Sequence, residues 1–378
     1  MNSSRYSNFA QVLAAINFSE IEGLLNGATS TMVSEVLQKA ELERPLSSRD
    51  LAILLSKEAS KQIEALAQLA ARLHNKYFGK AITLYQPLYI SNYCENHCRY
   101  CGFSCKNKIN RKQLTLSEIE NEAKAISDNG EIKQILVLTG EAPSRAGFSY
   151  IKDAIRVLKK YFDSISIEVY PMSTTEYGEL KEIGVDGLTI YQETYNRERY
   201  SYLHPSGKKS DFDWRLGTPQ RGAEAGLRQI GIGALFGLSD CRIDGLCAGL
   251  HAQFLQNSYL GSEFSLSLPR IREATGEFES SQIMSDKLFV QTLLAYRIFL
   301  PRVGINLSTR EGATLRNNLL GLGVSKLSAG SRTSVGGYYE NKTEEQFSMA
   351  DTRDVKTVKA DLKRLGFQPV HKDWQQLF

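Results

Sequence analysis

The chain has 378 residues, of which 42% are hydrophobic, and its formal net charge is +4 at pH 7. This length allows one barrel-sized domain with additions or two domains. So small a basic balance, without an arm of clustered Lys and Arg, gives no positive case for nucleic acid as a partner. No apolar run of about 18 residues predicts a membrane span. The start, MNSSRYSNFAQVLAAINF, lacks the pattern of a signal peptide, so we expect a cytoplasmic location and reduced thiols.

Residues 1–80 are predicted to form a helical extension. Apolar residues recur at helical spacing from Phe9 to Ile16 and again over 61–78. Gly79 then provides a stop signal, because glycine commonly ends helices. The extension is therefore read as several helices that come before the main domain.

After the extension, short apolar segments alternate with helical patterns. Eight segments predict strands: 82–90, 134–140, 164–170, 186–192, 229–237, 263–269, 304–310 and 324–330. The helices between them have recognisable starts, such as the capping box of Thr115 and Glu118. Alternation of this kind predicts parallel βαβ units, and eight units over 81–345 predict a TIM-type (β/α)8 barrel. A doubly wound open sheet is the competing architecture, which strand count alone does not exclude.

The last segment, 346–378, is predicted to be a helical tail packed on the barrel. Apolar residues recur at helical spacing from Val355 to Leu365, and Gly366 follows them. A helix that ends at this glycine is therefore expected.

Three cysteines stand close together in the segment YCENHCRYCGFSC. Cys94, Cys98 and Cys101 form a CxxxCxxC triplet, with the aromatic Tyr100 before the last cysteine. Three thiolates hold three corners of a four-iron cluster and leave one iron open, whereas electron-carrying clusters use four cysteines and structural zinc sites are closed. The spacing therefore favours a catalytic cluster. The alternative is a structural zinc knuckle completed by Cys105, although zinc ligands usually come as two separated pairs.

Further polar residues fall where the predicted strands end. Those for which a role is predicted are, in chain order, Thr139, Gly140, Glu141, Glu168, Ser308 and Arg310, and Glu193 likewise stands at the end of the fourth predicted strand. Reactive groups of (β/α)8 barrels project from the carboxyl ends of the strands, so we expect these residues to share one site with the cysteine loop. Each has a simpler interpretation. An acid after a strand is often a helix cap, and Arg310 beside Glu311 can form a surface ion pair.

Beyond these positions, the chain resembles a known family. The cysteine triplet resembles that of the radical S-adenosylmethionine (SAM) superfamily, and Thr139-Gly140-Glu141 resembles its GGE motif with Thr in place of the first Gly. Other segments resemble the aromatic amino-acid lyase branch: YQETYNRERY, HPSGKKSDFDWR, GIGALFGLSD, LSTRE, SAGSRTSVGGY and VHKDW. The resemblance runs from about residue 10 to the C-terminus. These segments are far more specific than the triplet alone.

The resemblance implies a [4Fe-4S] cluster and SAM as cofactors. The implied contacts are those of Cys94, Cys98 and Cys101 with the cluster, of Thr139, Gly140 and Glu141 with the SAM amino group, of Glu168 with the ribose, and of Tyr100 with the adenine. A 5′-deoxyadenosyl radical would take a hydrogen from the amino group of tyrosine, after which the Cα–Cβ bond breaks. The implied products are 2-iminoacetate and p-cresol, beside methionine and 5′-deoxyadenosine.

The substrate carboxylate needs a fixed cation. Arg310 is the predicted ligand because a guanidinium binds a carboxylate through two hydrogen bonds. Ser308 lies two residues earlier on the same strand face and is expected to assist it.

Partners and alternatives follow from the same resemblance. The implied partners are L-tyrosine as substrate, a flavodoxin or ferredoxin as electron donor, and the thiazole synthase ThiG of thiamine biosynthesis, because 2-iminoacetate hydrolyses readily. A HydG-like maturase and a tryptophan-type lyase are the alternatives within the branch. A HydG-like protein has a second cysteine cluster, and no cysteine follows Cys247 here, which favours the tyrosine lyase. Outside enzymes, the alternative is a non-catalytic iron–sulfur or zinc protein.

Overall fold

The computed structural model describes residues 6–130, 132–274, 278, 280, 282–339 and 343–372. The first five residues of the predicted extension lie outside this part of the chain, as do the last six of the predicted tail, with the end of the VHKDW segment. Among the described residues, no helix combines the length and the apolar character that a membrane crossing requires.

Five α-helices lie between residue 6 and the first strand. They are α1 (Phe9–Ala14), α2 (Phe18–Gly27), α3 (Ser30–Glu41), α4 (Ser48–Leu54) and α5 (Ile63–Phe78). The first four begin at a side chain that accepts a hydrogen bond from a first-turn N–H: Asn8, Asn17, Thr29 and Ser47. Such caps satisfy N–H groups that have no partner within the helix. Gly79 ends α5 with φ at +60°, as the sequence predicts.

Eight parallel strands close into a barrel. They are β1 (Ala81–Ser91), β2 (Gln134–Thr139), β3 (Ser164–Glu168), β4 (Gly187–Glu193), β5 (Gln229–Ala234), β6 (Glu263–Ser267), β7 (Gly304–Leu307) and β8 (Lys326–Ser328). Each strand pairs with the next, and β1 pairs with both β2 and β8. The predicted (β/α)8 barrel is confirmed, and the open sheet is wrong. Most strands end earlier than predicted, because the residues that follow already belong to the loops of the cavity described below.

Nine α-helices connect the strands within the described chain. They are α6 (Leu116–Gly130), α7 (Phe148–Leu158), α8 (Thr174–Glu182), α9 (Arg197–Leu203), α10 (Phe212–Leu216), α11 (Thr218–Glu224), α12 (Cys241–Ser258), α13 (Asp286–Phe299) and α14 (Ala313–Asn318). The predicted capping box at the start of α6 is present, since the N–H of Thr115 donates to Glu118 and the N–H of Glu118 donates to the Thr115 hydroxyl. Apolar strands and capped helices together produce the alternation on which the prediction depended.

The tail contains a helix and a strand. Helix α15 (Val355–Arg364) ends before Gly366, whose φ is +80°. Strand β9 (Gln368–Val370) then pairs in parallel with the first residues of β1. The sequence predicts the helix but misses the strand, because three residues that include a proline give no periodic signal. The predicted segment boundaries at residues 80 and 345 stay predictions.

The helical extension packs against the outside of the barrel. Leu51 of α4 lies against α12, where a Cβ on Gly249 would come within 2.8 Å of the leucine Cδ2. The amide of Gln291 in α13 donates to the carbonyl oxygens of Leu54 and Ser56. These contacts place the extension on the α12–α13 side of the barrel, where it covers apolar helix faces.

Candidate active site

A cavity opens at the carboxyl end of the barrel strands. All ten residues selected from the sequence line it: Cys94, Cys98, Tyr100, Cys101, Thr139, Gly140, Glu141, Glu168, Ser308 and Arg310. The barrel brings them together from four separate loops and strand ends. Their placement in one cavity is thus a structural fact, whereas the role assigned to each residue stays a prediction.

The cysteine loop follows β1 and is held by two neighbouring loops. The N–H of Glu95 donates to the carbonyl oxygen of Glu141 at 3.0 Å, on the loop after β2. The N–H of His97 donates to the carbonyl oxygen of Ser206 at 3.1 Å, on the loop after α9. Backbone bonds on both sides therefore fix the position of the cysteines before any cofactor binds.

The thiols of the triplet fit a cluster held at three corners. Cys94, Cys98 and Cys101 line the cavity, whereas Cys105 is exposed and lies outside its lining. Within the described chain, no three His, Cys, Asp or Glu side chains converge closely enough to hold a single metal ion, so the zinc knuckle with Cys105 has no support there. Burial raises the pKa of the Cys94 thiol to about 12 and that of Cys98 well above its usual value. Cluster assembly must therefore displace protons from these thiols.

Gly140 permits a close approach between the loop after β2 and the cysteine loop. A Cβ at this position would lie 2.3 Å from the carbonyl oxygen of Tyr93. The N–H of Gly140 donates to the carbonyl oxygen of Ser91 at 2.8 Å. Since no other residue fits, the second position of the motif keeps its glycine for a packing reason.

Thr139 and Tyr100 present different surfaces to the cavity. The Thr139 hydroxyl is buried and has no hydrogen-bond partner, which leaves it available to a bound molecule, since buried polar groups normally have partners. The Tyr100 hydroxyl is already bonded to Nε2 of His204 at 2.8 Å. The Tyr100 ring packs in a small apolar cluster with Cys98. It therefore both fills space and lines the cavity.

Two cations and two carboxylates form a buried network beside the cysteines. The Arg215 guanidinium donates to Glu141 at 2.8 Å and to Glu193 at 3.2 Å, while Lys209 Nζ lies 2.7 Å from Glu193. Asn96 of the cysteine loop donates to the other oxygen of Glu141 at 2.9 Å. Burial raises the pKa of Glu193, but Lys209 and Arg215 outweigh it and bring the value to about 2. The network thus holds the side chain of Glu141 in a fixed position next to the triplet.

Glu193 adopts an unusual backbone conformation. Its φ is +70°, a region that residues other than glycine seldom occupy. The β4–β5 register shifts between Tyr191 and Glu193. A bulge of this kind turns a side chain in a new direction, and such strain tends to occur at functional sites. Here it directs the Glu193 carboxylate toward Lys209 and Arg215.

Glu168 lies at the end of β3 inside the cavity. Burial, and after it the negative charge of Glu193, raise the pKa of Glu168 to about 7 against the opposing charge of Arg310. A carboxyl group with this pKa changes its charge near neutral pH. Buried groups with shifted pKa values are frequent in active sites.

Ser308 and Arg310 follow β7 and line another wall of the cavity. The Arg310 guanidinium lies over the Phe347 ring, with its carbon 3.4 Å from the ring centre. One of its nitrogens donates to the carbonyl oxygen of Arg270 at 3.4 Å, and the group has no carboxylate partner among the described residues. Glu311 pairs instead with Arg270 and Arg272. The simpler interpretation of Arg310 as the ion-pair partner of Glu311 is therefore wrong, and its charge remains available in the cavity.

Comparison with known proteins identifies the family to which the chain belongs. The chain matches the radical SAM superfamily over residues 88–248 and the Biotin and Thiamin Synthesis associated domain over residues 267–368. It is 42% identical to the 2-iminoacetate synthase of Escherichia coli K12, covering 95% of this chain and 94% of that protein. The chain belongs to the 2-iminoacetate synthase family. The Salmonella typhimurium protein of the same name is 41% identical over the same shares.

The barrel and its additions are shared with a related maturase. The crystal structure of HydG, described as a maturase of the [FeFe]-hydrogenase, is similar with a TM-score of 0.89 at 32% identity. The similarity covers 95% of this chain and 81% of that one. The 2-iminoacetate synthase family and HydG therefore share the architecture that carries the cavity.

Several cavity residues are absent from the sequence-based selection. They are Lys209, Arg215 and Asn96, which line the cavity and form, with Glu193 at the end of β4, the charged network around Glu141. Lys209 and Arg215 lie in HPSGKKSDFDWR, a segment that resembles the family, so a signal was present. Neither residue stands at the end of a strand, so the expectation that barrel sites form at strand ends does not point to them.

Proposed function

We propose that the protein is a radical SAM tyrosine lyase that cleaves the Cα–Cβ bond of L-tyrosine to 2-iminoacetate and p-cresol. One observation carries this proposal: a chain 42% identical to a 2-iminoacetate synthase over 95% of its length folds so that the cysteine triplet, the Thr-Gly-Glu motif and a free arginine line one cavity. The two products together have the elemental composition of tyrosine, but one tyrosine hydrogen atom passes to 5′-deoxyadenosine, so a proton and an electron from the electron donor must replace it in p-cresol.

The chain offers a place for each cofactor. Cys94, Cys98 and Cys101 would hold a [4Fe-4S] cluster at three corners. When bound, the cluster and SAM supply one-electron chemistry that removes a hydrogen atom from the substrate and leaves 5′-deoxyadenosine and methionine. The Thr139 hydroxyl, which lacks a partner, and the Glu141 carboxylate are suited to hydrogen-bond the SAM amino group.

Other residues would orient SAM beside the cysteines. Glu168 is suited to accept hydrogen bonds from the ribose hydroxyls, and the Tyr100 ring is suited to pack beside the adenine. Arg215 and Lys209 hold Glu141 and Glu193 in fixed positions. A fixed arrangement is needed because the reactive species must meet one hydrogen among many.

Arg310 is suited to bind the tyrosine carboxylate. Its guanidinium lies in the cavity without an acidic partner in the described chain, and the Phe347 ring supports it from one side. Ser308 lies two residues away on the same wall and can donate to the same carboxylate. Carboxylate binding at this wall would place the amino group and Cβ of tyrosine between β7 and the triplet.

The proposed function implies two protein partners. A flavodoxin or a ferredoxin would supply electrons, and the thiazole synthase ThiG would receive 2-iminoacetate for the thiamine thiazole. We therefore expect the reaction and both partner proteins to be found in the cytoplasm.

Anaerobic reconstitution with iron and sulfide tests the proposal. The reconstituted protein should contain about four iron atoms per chain, as a three-cysteine cubane requires. With SAM, tyrosine and dithionite it should form 5′-deoxyadenosine and p-cresol. Cyanide or carbon monoxide among the products would support a HydG-like activity instead, and 3-methylindole derivatives from tryptophan would support the tryptophan-type lyase. One zinc atom per chain, together with no 5′-deoxyadenosine, would contradict the proposed function.

A further inference from the structure

The outer face of the cysteine loop is strongly basic. Residues 96–117 contain five Lys and Arg side chains and no Asp or Glu. Two of the five are engaged elsewhere, since Arg111 donates to backbone carbonyl oxygens such as that of Phe103 and Lys112 pairs with Glu118. The other three, Arg99, Lys106 and Lys108, are exposed on the surface.

An exposed tyrosine beside this loop lies between two arginines. The Tyr202 side chain is 52% exposed. The guanidinium of Arg99 lies 4.5 Å from the ring centre, and that of Arg199 lies 4.9 Å from it. Each cation–aromatic contact of this kind contributes about 0.5–1 kcal/mol at an exposed site. The pair therefore presents a fixed aromatic surface with two positive charges.

Backbone contacts bring a further lysine to the same face. Asn96 accepts from the N–H of Cys105 through its carbonyl oxygen and from the N–H of Lys209 through its side chain. The backbones of the neighbouring Lys106 and Lys208 therefore lie close to Asn96, and both side chains are exposed. We define the basic patch as Arg99, Lys106, Arg199, Tyr202 and Lys208.

The basic patch connects directly to a cysteine of the triplet. The N–H of Arg99 donates to the carbonyl oxygen of Leu203, and its Nε donates to that of Tyr202. Leu203 packs in one apolar cluster with Cys98 and Tyr100. The patch is thus the outer side of the wall whose inner side carries Cys98.

No acidic side chain neutralises the patch within the described residues. Its four cations make no ion pair there; Arg199 donates to the carbonyl oxygen of Leu238 instead. The nearby Glu95 is engaged by the N–H and hydroxyl of Ser144. Exposed, unpaired charge of one sign attracts a partner of opposite sign and accelerates its association.

We propose that the basic patch is the docking surface for a small acidic electron-carrier protein. This inference rests on the proposed function, which requires two one-electron reductions in each turnover: one to cleave SAM, and one, with a proton, to replace in p-cresol the hydrogen atom that leaves with 5′-deoxyadenosine. In each reduction, one electron would pass from the docked carrier, which would be oxidised, to the cluster that the triplet would hold, and no bond would form or break in that transfer. Arginine and tyrosine are the residue types that most often dominate binding energy. Electron-transfer complexes are small and transient, which suits a patch of five residues.

Charge reversal tests the docking surface on the reconstituted holoenzyme. The double variant Lys106→Glu/Lys208→Glu should bind a purified acidic flavodoxin about tenfold more weakly in calorimetry, with a smaller dependence on salt. Its p-cresol formation with reduced flavodoxin should need about tenfold more of the carrier. With dithionite, which needs no docking surface, it should match the unmodified enzyme.

A matched control lies at the opposite end of the barrel. Lys160 and Lys363 are exposed and come shortly before β3 and β9, at the amino ends of the strands. Lys160→Glu/Lys363→Glu makes the same change in net charge and should leave flavodoxin binding unchanged. A second patch variant, Tyr202→Ala, removes the aromatic surface without altering charge and should also weaken binding.

Three results would overturn the docking surface. They are unchanged flavodoxin affinity in the patch variants, an equal loss in the control pair, and an equal loss of activity with dithionite. Failure of the unmodified enzyme to form p-cresol with dithionite counts against the proposed function, and the calorimetric comparison would still decide whether the patch binds the carrier.

Discussion

The helical extension and the carboxyl end of the barrel use their buried residues differently. In the extension, apolar side chains such as Leu51 and Leu66 are fully buried. Polar residues there lie at the helix starts and cap the helices. At the mouth of the barrel, the buried residues include Arg215 and Glu193, and the Thr139 hydroxyl lacks a partner. Apolar burial stabilises a fold, whereas buried charge and unsatisfied groups cost stability and persist where binding requires them. The extension therefore contributes stability, and the mouth contributes chemistry.

The largest effect is expected at the triplet. Cys98→Ala removes one of three proposed cluster attachments, so the reconstituted protein should lose its cluster and form no measurable p-cresol. Unfolding of the apoprotein should change little, because alanine keeps the backbone bonds of the loop. Iron content and product analysis measure the loss. Cys105→Ala is the matched control and should retain both, since Cys105 is exposed; loss of iron in that control would contradict the three-cysteine assignment.

Arg310→Ala should weaken tyrosine binding without affecting cluster assembly. Hydrogen bonds to a charged group contribute about 1.5–3 kcal/mol, so the tyrosine KM should rise about 10–100-fold. Steady-state p-cresol formation at varied tyrosine measures it, with iron content as the check on assembly. Arg310→Lys keeps the positive charge but cannot form two parallel hydrogen bonds, so its tyrosine KM should lie between those of the unmodified enzyme and Arg310→Ala. Unchanged tyrosine dependence would remove Arg310 from the substrate role.

In the extension, Leu66→Ala should lower stability and leave the chemistry intact. Leu66 is 0% exposed on α5, and a buried leucine replaced by alanine costs about 2–5 kcal/mol. Denaturant unfolding of the apoprotein measures the free energy, and p-cresol formation below the transition measures activity. Leu42→Ala, at a position 57% exposed, is the control and should change stability by less than about 0.5 kcal/mol. A loss of turnover in folded Leu66→Ala protein would break the contrast between the two regions.

Glu168 should make the stability of the apoprotein depend on pH. Its pKa of about 7 in the folded chain lies above the ordinary value of 4.5. The carboxyl group therefore favours the folded state fully below about pH 4.5, and this contribution is lost as the pH rises toward 7. Glu168→Gln cannot titrate, so its free energy of unfolding should fall less between pH 5 and 7, by on the order of 2 kcal/mol. Parallel pH profiles of the two proteins would contradict the shift.

Much of the fold could be predicted because the spacing of apolar residues indicates most strands and helices. The barrel rule also placed Glu168 and Arg310 correctly at one site, since parallel strands end on the same side. Arg215 and Lys209 could not be found this way, because they come from helical loops whose positions depend on tertiary packing. The conformation of Glu193 likewise depends on the bulge in β4, which no local preference predicts.

The position of β1 between the two ends of the chain has a consequence for biogenesis. This strand carries the cysteine loop at one end and pairs with β8 and β9, which are made roughly 240 or more residues later. During synthesis, its outer edge has no neighbour until residues 326–370 have left the ribosome, and contacts so distant in sequence form slowly. The cysteine loop is therefore carried by a closed barrel only after residues 326–370 have been made, so the triplet takes up its final position late in folding.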